Sequence, residues 1–127
     1  NDGGRLTWIP WDNNEAFQDG KQGGALALNF SDLNSSSWPL ISKLYADDVY
    51  RERYNEYLRE VISDAFETNK MQAKYNTYSA LIEPYATTEV SGYTFLESTS
   101  DFYNAVDTLL EHAEDRATAV DNYLDTQ

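Results

Sequence analysis

From Pro39 onward, apolar residues recur at three- and four-residue intervals; before it they do not. Pro39–Tyr45 ("PLISKLY") predicts a short helix, with Ser37 or Trp38 near its cap and the proline in the first turn, where its missing N–H leaves nothing unsatisfied. Asp47 then predicts the cap of a longer helix. Tyr50, Tyr54, Tyr57, Leu58, Val61, Ile62 and Phe66 share one face of it, and Asp47 and Arg51 form an (i, i+4) pair. Thr68 is the expected cap of the next helix, striped by Met71, Tyr75, Tyr78, Leu81, Ile82 and Tyr85. Pro84 should end or kink that helix, because its ring collides with the carbonyl four residues back. After a connection, "EVSGYTFLEST", the Ser98–Asp101 stretch opens the last helix with hydroxyls and an early acid. Its apolar face is the longest: Phe102, Val106, Leu109, Leu110, Ala113, Ala117, Val120 and Leu124.

The front of the chain reads differently. Five of the six glycines precede Trp38, among the turn signals "NDGG", "QDGKQGG" and "SDLNSSS". Arg5–Pro10 ("RLTWIP") predicts a short strand, with Leu6, Trp8 and Pro10 on one face and Thr7 and Ile9 on the other. Pro10 has no N–H to donate and should end the ladder. Gly24–Phe30 is a candidate second strand. The expected fold is therefore mainly α: three long helices plus a short one, with a small N-terminal β-strand and loop element. Residues 1–127 form one domain, with an arm over 1–37 and a helical bundle over 38–127.

Composition narrows the partners. A net charge of -13 argues against nucleic acid, whose phosphates select clustered Lys and Arg, and against an anionic membrane surface. It suits a soluble chain that meets cations or basic partners, or simply an acid-rich solvated surface. With no Cys, disulfides, thiolate metal sites and Cys nucleophiles are excluded. No apolar run approaches the roughly 20 residues of a membrane span. The 10 tyrosines predict a core with an amphipathic rim. The opening "NDGGRLTW" carries no Met and no signal peptide, which reads as a processed chain or an excised piece.

Few residues offer chemistry. His112, the lone histidine, flanks the last stripe among Glu111 and Glu114 and supports no triad. "DNNEAFQDGKQG" fails as a calcium loop: Ala16 breaks position 5, Phe17 takes the glycine position and Gly23 replaces the closing glutamate. "GKQGG" is not a phosphate-cradling loop. "NFS" at Asn29 and "NSS" at Asn34 are glycosylation sequons. Asp12 survives. It follows the predicted strand, with Asn14 two residues on, and such a pair can hold Mg²⁺ together with phosphate and water oxygens, or it can simply cap a turn.

"LTWIPWDNNEAF", the glycine-rich stretch after it, and "PLISKLYADDVYRERYNEYLREVISDAF" together resemble the CotH family of spore-coat-H-like atypical protein kinases. The likeness runs over roughly residues 5 to 124. It is carried by Trp11-Asp12-Asn13-Asn14, Phe17, Pro39-Leu40, Asp48 and Tyr50-Arg51-Glu52-Arg53-Tyr54. Gln18 departs from it, standing where the family has glycine. The resemblance implies that Asp12 is the metal-binding Asp of a Mg²⁺- and ATP-dependent protein kinase, with Asn14 as second ligand or orienting group. It also implies that the chain is the C-terminal part of the kinase domain. A nucleotide-covering loop, a phosphate-binding Lys and a catalytic-loop Asp would lie elsewhere in the parent, and the chain alone would be inactive. An extracytoplasmic location and a protein substrate or surface partner follow from the same likeness. The rival expectation is a non-catalytic surface, adhesion or protein-binding module, for which "YRERY" is only core packing.

Overall fold

The computed structural model describes Gly3, Ile9 and residues 27–127. Among them lie four helices: α1 (Pro39–Ala46), α2 (Asp48–Ser63), α3 (Thr68–Ala86) and α4 (Thr99–Leu124). The strand expected at Arg5–Pro10 lies outside the described residues apart from Ile9. Over 27–30, the described part of the second candidate strand, the backbone turns instead. The cause is local. The Asp32 carboxylate accepts from the Ala27 N–H at 3.0 Å, the Asn29 side chain accepts from the Ser31 N–H at 3.0 Å, and Phe30 sits at φ 55°. Asp and Asn side chains offer the backbone these short loops in place of a ladder.

Helix starts follow the polar residues. Asp47 caps α2, its Oδ1 accepting from the N–H groups of Val49 (3.0 Å) and Tyr50 (3.3 Å). The carboxylate is thereby turned onto the backbone, so Arg51 pairs with Asp48 one turn away and the (i, i+4) pair with Asp47 does not form. The cap of α3 is Glu67, one residue ahead of the expected Thr68; its longer arm reaches the N–H groups of Asn69 (3.2 Å) and Lys70 (2.8 Å). At α4 the Asp101 carboxylate accepts from the N–H groups of Ser98 (2.8 Å) and Glu97 (2.9 Å). Pro84 ends α3 with a delay of two residues. The ladder resumes past the ring through Thr87 N–H to the Glu83 carbonyl at 3.0 Å, and the Thr88 hydroxyl caps the Pro84 carbonyl at 2.7 Å.

Helix α4, about 39 Å long at 1.5 Å per residue, is the spine. Gln72 of α3 donates to the Leu110 carbonyl (3.2 Å) and the Glu114 carboxylate (2.8 Å), while Tyr103 donates to Glu83 (2.7 Å). Numbers rise on α3 as they fall on α4, so the pair is antiparallel along the N-terminal half of α4. Helix α2 takes the other half. Asn55 meets Tyr123, and the Phe66 ring stands edge-on to the His112 ring at 6.1 Å. Helix α1 packs on α2. Because α2 and α3 cover successive stretches of one helix, the core is thin: among the described residues only Phe102, Ala113 and Val120 are buried apolar side chains. Their spacings of eleven and seven residues put them on one face of α4. Every expected stripe residue of α4 is buried or half-buried. On α3, by contrast, Tyr78, Leu81, Ile82 and Tyr85 are exposed. No helix among the described residues is long and apolar enough to cross a membrane.

Candidate functional site

The most highly organised group of polar side chains in the described structure sits at the C-terminal end of α4. Four rings gather there. Phe30 stands edge-on to Tyr45 at 5.5 Å and tilts against Tyr54 at 5.3 Å. Tyr54 in turn meets Tyr45 at 6.2 Å and Tyr123 at 6.3 Å, both edge-to-face. These are the separations at which ring quadrupoles attract.

A chain of hydroxyls threads the rings. Tyr123 donates to Asn55 Oδ1 at 2.9 Å, and the Tyr45 and Tyr123 hydroxyls lie 3.0 Å apart. A phenol has one proton, so with that of Tyr123 on Asn55, Tyr45 is the donor of the second bond. Asn55 is the buried polar residue of α2, at 7% exposure. Burial holds the Tyr123 hydroxyl far above the ordinary tyrosine range. Burial also raises Tyr54, against the nearby Arg116 charge. These phenols stay protonated across physiological pH, as donors and not as nucleophiles.

The "YRERY" motif serves this cluster. Tyr54 donates to the Leu28 carbonyl at 3.0 Å, pinning the segment that follows the glycine-rich arm. Arg51 donates to the Tyr45 carbonyl at 3.2 Å, with its guanidinium 5.9 Å from the Tyr45 ring centre and its other nitrogen on Asp48. It thereby satisfies a terminal carbonyl of α1, the end of a helix where a cation is favoured. Arg53 points outward to Glu56 (2.6 Å) and covers the Tyr57 ring at 4.7 Å. Tyr50 is exposed and joins none of this. The cluster therefore supplies position, not chemistry: it fixes α1, the start of α2, the end of α4 and residues 28–30 as one unit.

Asp12 and Asn14, the candidate metal ligands, lie outside the described residues. Among the described residues no group of three His, Cys, Asp or Glu could hold a metal ion. His112 is half-buried against Phe66. The sequence pattern did not single out Asn55. Its one signal is register: it falls four residues after Arg51 and three before Leu58, a polar side chain on an otherwise inward-facing row.

Neither a curated protein nor a solved structure matches the chain. The family model described as CotH kinase protein matches residues 1–120, a span that takes in the tryptophan-rich segment, the glycine-rich arm, "YRERY" and most of α4. The chain thus belongs to the CotH kinase family.

Proposed function

We propose that this chain provides the metal-binding segment and helical lobe of a CotH-like atypical protein kinase, whose intact form transfers phosphate from ATP to a protein substrate. The observation that carries the reading is the family match over residues 1–120 together with the use of "YRERY". Arg51 and Tyr54 bind backbone carbonyls of two preceding segments, at Tyr45 and Leu28, as a lobe that must present a loop accurately requires.

In this reading Asp12 is a Mg²⁺ ligand, with Asn14 as second ligand or orienting group. Two hard oxygen donors suit Mg²⁺, which completes its shell with phosphate oxygens and water. When bound, the ion would neutralise charge on the nucleotide phosphates. The protein's own part is to hold those donors against a rigid helical lobe. Phosphoryl transfer also needs a phosphate-binding Lys and a catalytic-loop Asp, so the 127-residue chain by itself is inactive. The same likeness supports an extracytoplasmic setting.

The test uses the intact parent, incubated with Mg²⁺, ATP and a protein substrate. Asp12→Ala reduces phosphotransfer to background while the helical content by circular dichroism is kept. Undiminished transfer by Asp12→Ala removes Asp12 from the reaction, and transfer by the 127-residue chain alone contradicts the proposed division of parts. A second reading, a protein-binding module, is favoured by one specific feature, the exposed apolar side chains of α3 and the connection after it.

A further inference from the structure

The far end of the bundle, opposite the tyrosine cluster, presents a surface of unusual composition. On α3, Tyr78, Leu81, Ile82 and Tyr85 follow the i, i+3, i+4, i+7 spacing of one helix flank, and all are exposed, Tyr85 at 75%. The connection to α4 adds Val90, Tyr93 and Phe95, with Tyr93 at 90% exposure. Isolated exposed apolar residues are ordinary, but a set of this size along one helix flank and the loop that continues it marks an interaction surface.

Charge selects the occupant. Between Lys74 and Arg116 there is no Lys or Arg, whereas eight Asp and Glu fall in that stretch. Two of these acids, Glu89 and Glu97, line a shallow cleft of about 190 Å³ between the end of α3 and the start of α4, together with Thr87 and Thr99. Carboxylates lining a cleft next to an apolar flank favour an ammonium or guanidinium through Coulomb attraction. A second copy of this chain, at net charge -13, brings the wrong sign. So do residues 1–26, with four acids (Asp2, Asp12, Glu15, Asp19) against Arg5 and Lys21.

We propose that the α3 flank, the 90–95 connection and the Glu89/Glu97 cleft form a docking surface for a cationic amphipathic segment of another protein, one that interleaves Lys or Arg with Leu or aromatic side chains. The apolar side chains would cover the α3 flank and the cations would meet the cleft. This docking needs neither Asp12 nor ATP, so it stands or falls apart from the kinase reading.

The experiment is a binding titration of the full 127-residue chain with three fluorescent helical peptides of equal length, followed by anisotropy at physiological salt. One peptide interleaves Lys and Leu, one has the same Lys with Ser in place of Leu, and one interleaves Glu and Leu. The Lys/Leu peptide binds at one-to-one stoichiometry, and Leu81→Ser with Tyr85→Ser weakens it about tenfold or more, the scale expected for apolar anchors. Glu89→Lys with Glu97→Lys, on the connection outside the helices, weakens it comparably and serves as the second variant should the first perturb α3. Equal binding of the Lys/Ser peptide, or of the Glu/Leu peptide, overturns the proposal, since only charge or only apolarity would then be read. Unchanged affinity in both variants overturns it too. So does a concentration-dependent dimer of the unmodified chain that the Leu81→Ser, Tyr85→Ser variant abolishes, which would assign the surface to self-association.

Discussion

The two ends of α4 are held by different means. At its C-terminal end, Tyr123 sits in a cage of Tyr45, Tyr54 and Asn55, every hydroxyl has a named partner, and the Leu28 carbonyl is drawn in from a distant segment. At its N-terminal end, α3 contributes one phenol–carboxylate bond, Tyr103 to Glu83, and leaves its largest apolar side chains in solvent. Both ends are rich in tyrosine, so composition does not separate them. What does is whether a third element covers the pair: α1 and residues 28–30 close one end, and nothing described here closes the other. Exposed apolar side chains occur at both ends, Leu40, Val49 and Tyr50 on α1 and α2 as well as Leu81 and Tyr85 on α3, so the difference lies in the saturated polar cluster that only the closed end carries. The closed end ties α1, α2, α4 and residues 28–30 together around "YRERY", and the open end is where the proposed docking surface lies.

Substitutions at the two ends should separate in size. The largest loss is expected from Tyr54→Ala, which removes the ring shared by Phe30, Tyr45 and Tyr123 together with the bond to Leu28; chemical denaturation should show about 2–4 kcal/mol. Tyr123→Phe keeps the ring but strands the buried Asn55 carbonyl, a loss of about 1–3 kcal/mol. That variant also carries a pH signature. The native state holds the Tyr123 proton more tightly than the unfolded chain, whose tyrosines titrate near 10.0. The resulting stabilisation is complete below that value and is lost as pH rises through the higher folded-state value. The melting temperature of the native sequence should therefore fall above about pH 10, and Tyr123→Phe should flatten part of that fall. Asp47→Ala, which unsatisfies two N–H groups of α2, should cost about 1 kcal/mol. Smallest of all, Leu81→Ser at the open end should stay within about 0.5 kcal/mol in thermal melts. A loss there as large as that of Tyr123→Phe would mean that the two ends are not differently built.

Much of this fold was legible in the sequence, because helix boundaries are written in local chemistry. Asp47 and the Ser98–Asp101 pair mark starts by the acceptors they offer to unpaired N–H donors, and Pro39 by having no N–H to leave unpaired. Thr68 misled by one residue since Glu67, with a longer side chain, reaches the same donors. Periodicity states which residues share a face and not what covers that face. The α4 stripe is covered, and the second half of the α3 stripe is not, though the two patterns look alike. Asn55 was invisible for a related reason: a polar residue on an inner face is explained only by its partner, and Tyr123 stands 68 positions away. The role of "YRERY" was half legible. The pattern marks Tyr54 as inward-facing, but the reach of Arg51 to the end of α1 depends on how tightly the chain turns at Asp47.

The functional reading turns on Asp12, and sequence adjacency supplies its own reporter: Trp11 precedes it directly, with Trp8 three residues earlier. Mn²⁺ prefers the same oxygen ligands as Mg²⁺ and quenches indole fluorescence at short range. Titrating Mn²⁺ into the 127-residue chain and into its Asp12→Ala variant therefore tests the ligand assignment itself. The account predicts saturable tryptophan quenching in the native sequence, reversed by excess Mg²⁺ and absent in Asp12→Ala. Identical titrations of the two proteins, quenched or not, would contradict it.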